Sequence, residues 1–264
     1  MAEALIDGFK AELYLTPKPG LVDLLNCGSH PDLSLLLMSR SIVLLRIYLH
    51  ELCVALATGA DYPELIDIGW RAEGRMLTQL GTNAHRGGIF LAGLLLTACR
   101  RADPRDLKAF RQTLKTEAER FFRLSSLDQS HGQQIRERFQ VGGIVSEACL
   151  GLPALFEQAL PLLLQSAEQP QLADRAYLAY LAMARLMLQV DDTTSLYRCG
   201  EQGLNMLREA GGELEKTILA GENPIPLLLK LDQLFCAMNL TMGGVADLLG
   251  VSFGYASYLA RASQ

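Results

Sequence analysis

The feature that most constrains this chain is the spacing of its apolar residues. They recur at every third or fourth position through most of the sequence, while strict alternation over strand-length windows is scarce. Such spacing predicts amphipathic helices and no sheet, with about ten helices over residues 2–14, 34–58, 63–80, 88–101, 104–125, 144–166, 171–189, 194–210, 213–237 and 242–261. Pro63 and Pro104 stand where a first helical turn tolerates a missing N–H, and Gly211-Gly212 where a helix stops. The polar stretch from Ser125 to Gln134 reads as the one plausible linker. Half of the 264 residues are hydrophobic, enough to bury a large core. The expected fold class is therefore all-α, a single-domain multi-helix bundle over residues 1–264.

Charge and composition exclude several functions. A net charge of −5 gives no general attraction to nucleic acid or anionic lipid, although a local basic pocket for phosphate is compatible with it. Residues 1–15 mix Glu3, Asp7, Lys10 and Glu12 into their apolar positions, unlike a signal peptide. The apolar stretch from Gly88 to Cys99 is too short to span a bilayer, and Arg40 and Arg46 interrupt the Leu-rich run from Leu33. A cytoplasmic protein with no membrane partner is expected. The six cysteines (Cys27, Cys53, Cys99, Cys149, Cys199 and Cys236) lie far apart with no Cys-x-x-Cys spacing, and read as reduced, buried thiols.

Two loops stand out. In Thr16-Pro17-Lys18-Pro19-Gly20 two prolines fix φ and a glycine frees it, holding Lys18 on a stiff turn suited to a phosphate; Asp23, Asn26 and His30 follow within reach. The same residues also describe a Pro-Gly helix stop with solvated polar groups. The second loop, Gly81 to Gly88, leads into an apolar helix whose N-terminal N–H groups favour an anion, with Asn83, His85, Arg86 and Gly87 as binding candidates. It also fits a plain glycine-rich connector.

Several acids invite the same two-sided reading. Glu73 lines up at helical spacing with Ile66, Trp70 and Leu77, a stripe expected to be buried, so it requires a metal, a substrate or a neighbouring helix as partner. Arg71 and Arg75 line up with Asp67 as a surface ladder. Glu147 stands among apolar residues, and Ser130-His131-Gly132 just before it offers an imidazole. Asp191 and Asp192 open a helix that carries Arg198; they fit an N-cap, and equally a magnesium site. Gly243 and Gly244 open the last helix, with Asp247 one turn in, and suit close approach either of a ligand or of a helix. No nucleophile elbow, Walker A loop or Gly-x-Gly-x-x-Gly fingerprint is present. Residue chemistry alone reaches an all-α protein with a magnesium-nucleotide site.

Seven segments in order, PKPGLVD with Asn26 and His30, RAEGRM, GTNAHRGGIF, SHG, SEA, DDT with Arg198, and NLTMGGVADLL, give the chain its family likeness. It resembles the triphosphoribosyl-dephospho-CoA synthase family of citrate lyase and malonate decarboxylase systems, from about Glu12 to about Leu249. The resemblance implies transfer of the triphosphoribosyl part of ATP to the ribose 2′-hydroxyl of 3′-dephospho-CoA, release of adenine, and a product that becomes a prosthetic group on an acyl carrier protein. It further implies Lys18, His85, Arg86 and Arg198 on the triphosphate, Asp191, Asp192 and Glu73 on Mg2+ with Asp247 as a further candidate ligand, and Glu147 or Asp23 at the acceptor hydroxyl or the sugar cation. Val145 stands where the family commonly has arginine, Ala84 and Arg86 where threonine and lysine are usual, and Cys199 where glycine is common. Those departures leave room for a related nucleotide-dependent ribosyl transferase with another acceptor. A non-catalytic helical nucleotide-binding protein, or a homo-oligomer, also fits the pattern.

Overall fold

The structure is a computed structural model that describes residues 1–125, 138–168 and 172–262. Among the described residues there are helices and no strands. They are α1 (Ala2–Tyr14), α2 (Leu35–Thr58), α3 (Tyr62–Leu80), α4 (Arg86–Cys99), α5 (Leu107–Leu124), α6 (Gly143–Cys149), a π-helical turn (Ala154–Ala159) running into α7 (Leu160–Glu168), α8 (Leu172–Gln189), α9 (Thr193–Leu219), α10 (Ile225–Met238) and α11 (Gly243–Ala262). Local chemistry sets many of the ends. Asp61 and Asp106 accept the N–H groups of Glu64 and Ala109 as N-caps, and Gly59 and Gly81 close α2 and α3 in the left-handed conformation.

The C-terminal α11 is the hub, with α1, α4, α7 and α8 packed on it. Contact with α1 is close because it has no side chain at the crossing: a Cβ on Gly8 would lie 2.2 Å from the Gly254 nitrogen and 2.3 Å from the Gly250 oxygen. Phe9, beside Gly8, is fully buried against Gly250 and Gly88 and so ties α1, α4 and α11 together. By length and composition α2 could cross a membrane, and 44% of its most apolar window is buried inside the structure.

Several expectations change. Gly211-Gly212 lies inside α9, where a Cβ on Gly211 would meet Met187 of α8 at 2.8 Å; the glycines permit helix packing and stop nothing. α9 breaks instead at Gly200, with φ 63° and ψ −160°, so the predicted helices at 194–210 and 213–237 become α9 and α10. The helix predicted over 144–166 bends by 78°, because Gly151 and Leu152 take positive φ ahead of Pro153. Pro104 precedes α5 rather than sitting in its first turn, and its carbonyl accepts the Tyr255 hydroxyl. The cysteines are free thiols but none is fully buried, Cys27 and Cys236 being exposed and the other four partly so. Most of the Ser125–Gln134 stretch, and His131 within it, lies outside the described residues.

Candidate active site

A cavity of about 810 Å³ opens among α3, α4, the loop before α2 and the N-terminal ends of α9 and α11. Its apolar part is walled by Leu91, Leu94, Ile144 and Val145 with Phe90, Phe121 and Phe122, whose ring centroids lie 5.1–5.4 Å apart. Its polar part carries Glu12, His30, Glu73, Asn83, His85, Arg86, Arg198, Thr194, Thr241 and Asp247, with Gly87, Gly243 and Gly244 as bare backbone. Ten of the candidates read from the sequence therefore line this one cavity.

The stripe on α3 is half explained. Ile66, Trp70 and Glu73 do share a face and line the cavity, but only Ile66 is buried in the core; Trp70 is 51% exposed, and Leu77 is exposed outside the cavity. Glu73 Oε2 lies 3.1 Å from Arg86 Nε and accepts Asn83 Nδ2 at 3.2 Å. Arg71 pairs with Asp67 as expected, whereas Arg75 reaches across to Glu51 on α2 at 2.7 Å.

The N-terminus of α4 does hold a carboxyl group, and that group belongs to the protein. Asp247 accepts the backbone N–H groups of Gly88 and Gly87, and a Cβ on Gly87 would fall 2.3 Å from its Oδ2. Burial pushes the Asp247 carboxyl well above the usual carboxylate range; the negative charges of Glu12 and Asp192 push the same way, against the two N–H groups.

Two imidazoles line the same cavity. His85 is buried, its Nδ1 lies 2.7 Å from Ser41 Oγ, and Ser41 itself donates to the Met38 carbonyl. That pattern assigns the ring proton to Nδ1. Burial, followed by the charge of Lys18, lowers the His85 pKa to about 4. His30 accepts Arg198 Nη2 on Nδ1 at 3.1 Å, which puts its proton on Nε2, 2.8 Å from Thr241 Oγ1. Burial, and then Arg198, lower it also to about 4. Arg198 Nη1 donates to the Ser29 carbonyl and Asn239 Oδ1; these acceptors are neutral and leave its positive charge for a ligand.

The first loop frames the site from behind. Lys18 does not project towards a phosphate: it is 1% exposed, and its ammonium lies 2.5 Å from Glu12 Oε1 and 2.6 Å from the Glu12 carbonyl. Pro19 and Gly20 are buried behind the cavity wall. Asp23 accepts the N–H groups of Lys18 and Leu25, folding the turn onto itself. Asp232 of α10 then clamps it, accepting Gly20 N–H at 3.0 Å and Asn26 Nδ2 at 2.8 Å. Asp23 and Asn26 thus shape the loop and stay off the cavity wall.

Glu147 also faces elsewhere, accepting the Ala154 N–H at 3.1 Å; burial raises its pKa. The three aspartates considered for magnesium do not converge. Asp191 pairs with Arg208 at 2.7 Å, while Asp192 caps α9 through Thr194 and Ser195 and holds α11 through the Val245 N–H. Asp247, on α11, holds the N–H groups at the start of α4, and no cluster of three such ligands occurs among the described residues. Gly243 and Gly244 fit closely against Thr194 and Asp192, so helix packing accounts for them.

Sequence reasoning missed Glu12 and Asp232. Glu12 carried the signal used for Glu73, since helical spacing aligns it with Leu5, Gly8 and Phe9 on the buried face of α1. Asp232 sits mid-helix among leucines and carried the same mark.

A helical body around a cavity that is apolar at one end and set with carboxylates, imidazoles and guanidinium groups at the other is the architecture of an all-helical enzyme. The sequence matches the model of the ATP:dephospho-CoA triphosphoribosyl transferase family over residues 1–263, and the chain belongs to that family. Among its relatives, proteins named probable 2-(5''-triphosphoribosyl)-3'-dephosphocoenzyme-A synthase are 35% identical in Pseudomonas fluorescens, 36% in Pseudomonas putida and 33% in Azotobacter vinelandii. Those alignments cover 94–96% of this chain and 86–89% of the relatives. No solved structure matches the chain.

Proposed function

We propose that this enzyme joins C1′ of the ATP ribose to the ribose 2′-hydroxyl oxygen of 3′-dephospho-CoA as the bond from C1′ to adenine N9 breaks. The observation that carries the reading is the pair Glu12 and Asp247, two carboxyl groups on one cavity wall in opposite surroundings. Glu12 has the Lys18 ammonium as counter-charge and takes the hydroxyl proton. Asp247, favoured in its protonated form, gives a proton to the departing adenine. Displacement at a sugar carbon builds positive charge on the ring, as in glycoside cleavage, and the charge of Glu12, with the charge that develops on Asp247 as its proton leaves, stabilises it. Arg198, held by neutral acceptors beside Thr194 and Thr241, faces the triphosphate.

Magnesium enters as the counter-ion of ATP, which supplies phosphate oxygens to a cation that takes few from protein. The product serves an acyl carrier protein as prosthetic-group precursor, in a cytoplasmic pathway of the citrate lyase or malonate decarboxylase kind. Chromatography of mixtures with magnesium, ATP and candidate acceptors tests the reading. Adenine released only with dephospho-CoA supports it; adenine with another acceptor makes the chain a related ribosyl transferase, and none with any acceptor a binding protein.

A further inference from the structure

Trp70 is the single tryptophan of the chain, and it stands half-exposed on a cavity wall. An indole left open there presents a flat apolar face, the surface on which a planar base stacks. One turn along the same face, Glu73 accepts Asn83 Nδ2. A carboxylate has no proton to give, so this bond fixes the amide with its nitrogen on Glu73 and its oxygen turned away. That oxygen, Asn83 Oδ1, is buried and accepts no hydrogen bond. A buried carbonyl oxygen beside a cavity wants an N–H from whatever fills it.

We propose that Trp70 and Asn83 seat the adenine of the donor nucleotide, the ring lying on the indole and the exocyclic amine donating to Asn83 Oδ1. The inference rests on the proposed reaction and names the place of its leaving group. Phosphates offer no N–H and the pantetheine arm no flat ring, so among the parts of the two substrates only an adenine meets both features. Two adenines compete for the seat, and the leaving one has the better claim. It must lie near its proton donor, and four residues after Asn83 the chain reaches Gly87 in the first turn of α4, where the Asp247 carboxyl group rests. The acceptor's adenine has no such need.

The lone tryptophan makes the seat observable. Titrating the full-length wild-type chain with adenine, ATP or inosine triphosphate, whose 6-oxo group has no amine to donate, should show saturable quenching of Trp70 fluorescence by adenine and ATP. Binding of inosine triphosphate should be at least about tenfold weaker. Saturating dephospho-CoA should leave the ATP curve in place. Asn83→Leu should bring ATP and inosine triphosphate within about threefold of each other. Trp70→Ala should raise KM for ATP about tenfold or more without moving KM for dephospho-CoA, while Trp70→Phe, which keeps a flat ring, should stay within a few-fold of wild type. Equal binding of the two triphosphates by wild type, displacement of ATP from Trp70 by dephospho-CoA, or an unchanged KM for ATP in Trp70→Ala overturns the seat. The two readings fail differently: if the reaction is wrong, no adenine appears from ATP and dephospho-CoA in wild type, whereas if only the seat is wrong, adenine appears and both variants keep wild-type KM values.

Discussion

The carboxylate of Asp247, on α11, rests against Gly87 at the first turn of α4, accepting its N–H and that of Gly88. The positive end of α4, which a glycine-rich loop advertises as a phosphate site, is thus taken by a side chain of the same protein. The arrangement couples the hub helix to the cavity wall. It also holds a carboxyl group where burial and two neighbouring acids favour its protonated form.

From this follows a pH dependence. Because the Asp247 pKa is raised and the protonated form acts, the rate should fall as pH rises through that raised pKa. Asp247→Asn should lose about 10²–10⁴-fold in rate and lack this alkaline limb. Gly87→Ala, whose methyl group would meet Oδ2 at 2.3 Å, should lower the rate in the same direction. Rate profiles from pH 5 to 9 decide; a wild-type profile in Asp247→Asn removes the acid from the mechanism.

The pair Lys18 and Glu12 makes a second expectation. Lys18→Met leaves Glu12 buried without its counter-charge and should cost about 3–5 kcal/mol of stability in urea unfolding. Replacing both, as Glu12→Gln with Lys18→Met, removes the stranded charge and should recover most of that loss but not activity. An active double variant contradicts the role given to Glu12.

Much of this was legible in sequence. The all-α class and the helices 2–14, 63–80 and 242–261 follow from periodicity, while His30, Glu73, Asn83, His85, Arg86, Arg198 and Asp247, which line one cavity, were gathered as candidates by the family resemblance. What was not legible is direction. Spacing puts Glu73 in line with Trp70, but a stripe facing a cavity and one facing a core share the same period. Lys18 looks like a free cation in one dimension because Glu12 lies six residues back, across a turn whose path the sequence does not reveal. Gly211-Gly212 reads as a stop for a related reason: glycine serves chain reversal and close helix contact alike.

Acid should unfold the protein in a characteristic range. His85 is held neutral when folded, its pKa near 4 against an ordinary 6.5, so as pH falls from about 6.5 to about 4 the unfolded chain binds a proton that the folded one refuses. Stability is lost across that window and levels off below it as far as His85 is concerned. In His85→Gln the slope should be shallower; an identical slope in urea midpoints measured every half pH unit would rule the explanation out.

The crossing of α1 and α11 leaves no space for a methyl group. Gly8→Ala places a Cβ about 2 Å from backbone atoms on the facing helix, which no rotamer change relieves, and should cost more than about 2 kcal/mol. Gly74→Ala, with nothing within 4 Å of the added atom, is the control and should not destabilise. Thermal midpoints of the two variants compare them directly, and equal midpoints would mean that the helices can separate at no cost.

The most direct measurement of the central claim is the mass of the acceptor after reaction with magnesium and ATP. The account predicts that dephospho-CoA gains one triphosphoribosyl group for each adenine released, and that the 2′-deoxy analogue gains none. An unchanged acceptor mass alongside released adenine, or equal reaction of the 2′-deoxy analogue, would contradict transfer to the 2′-hydroxyl.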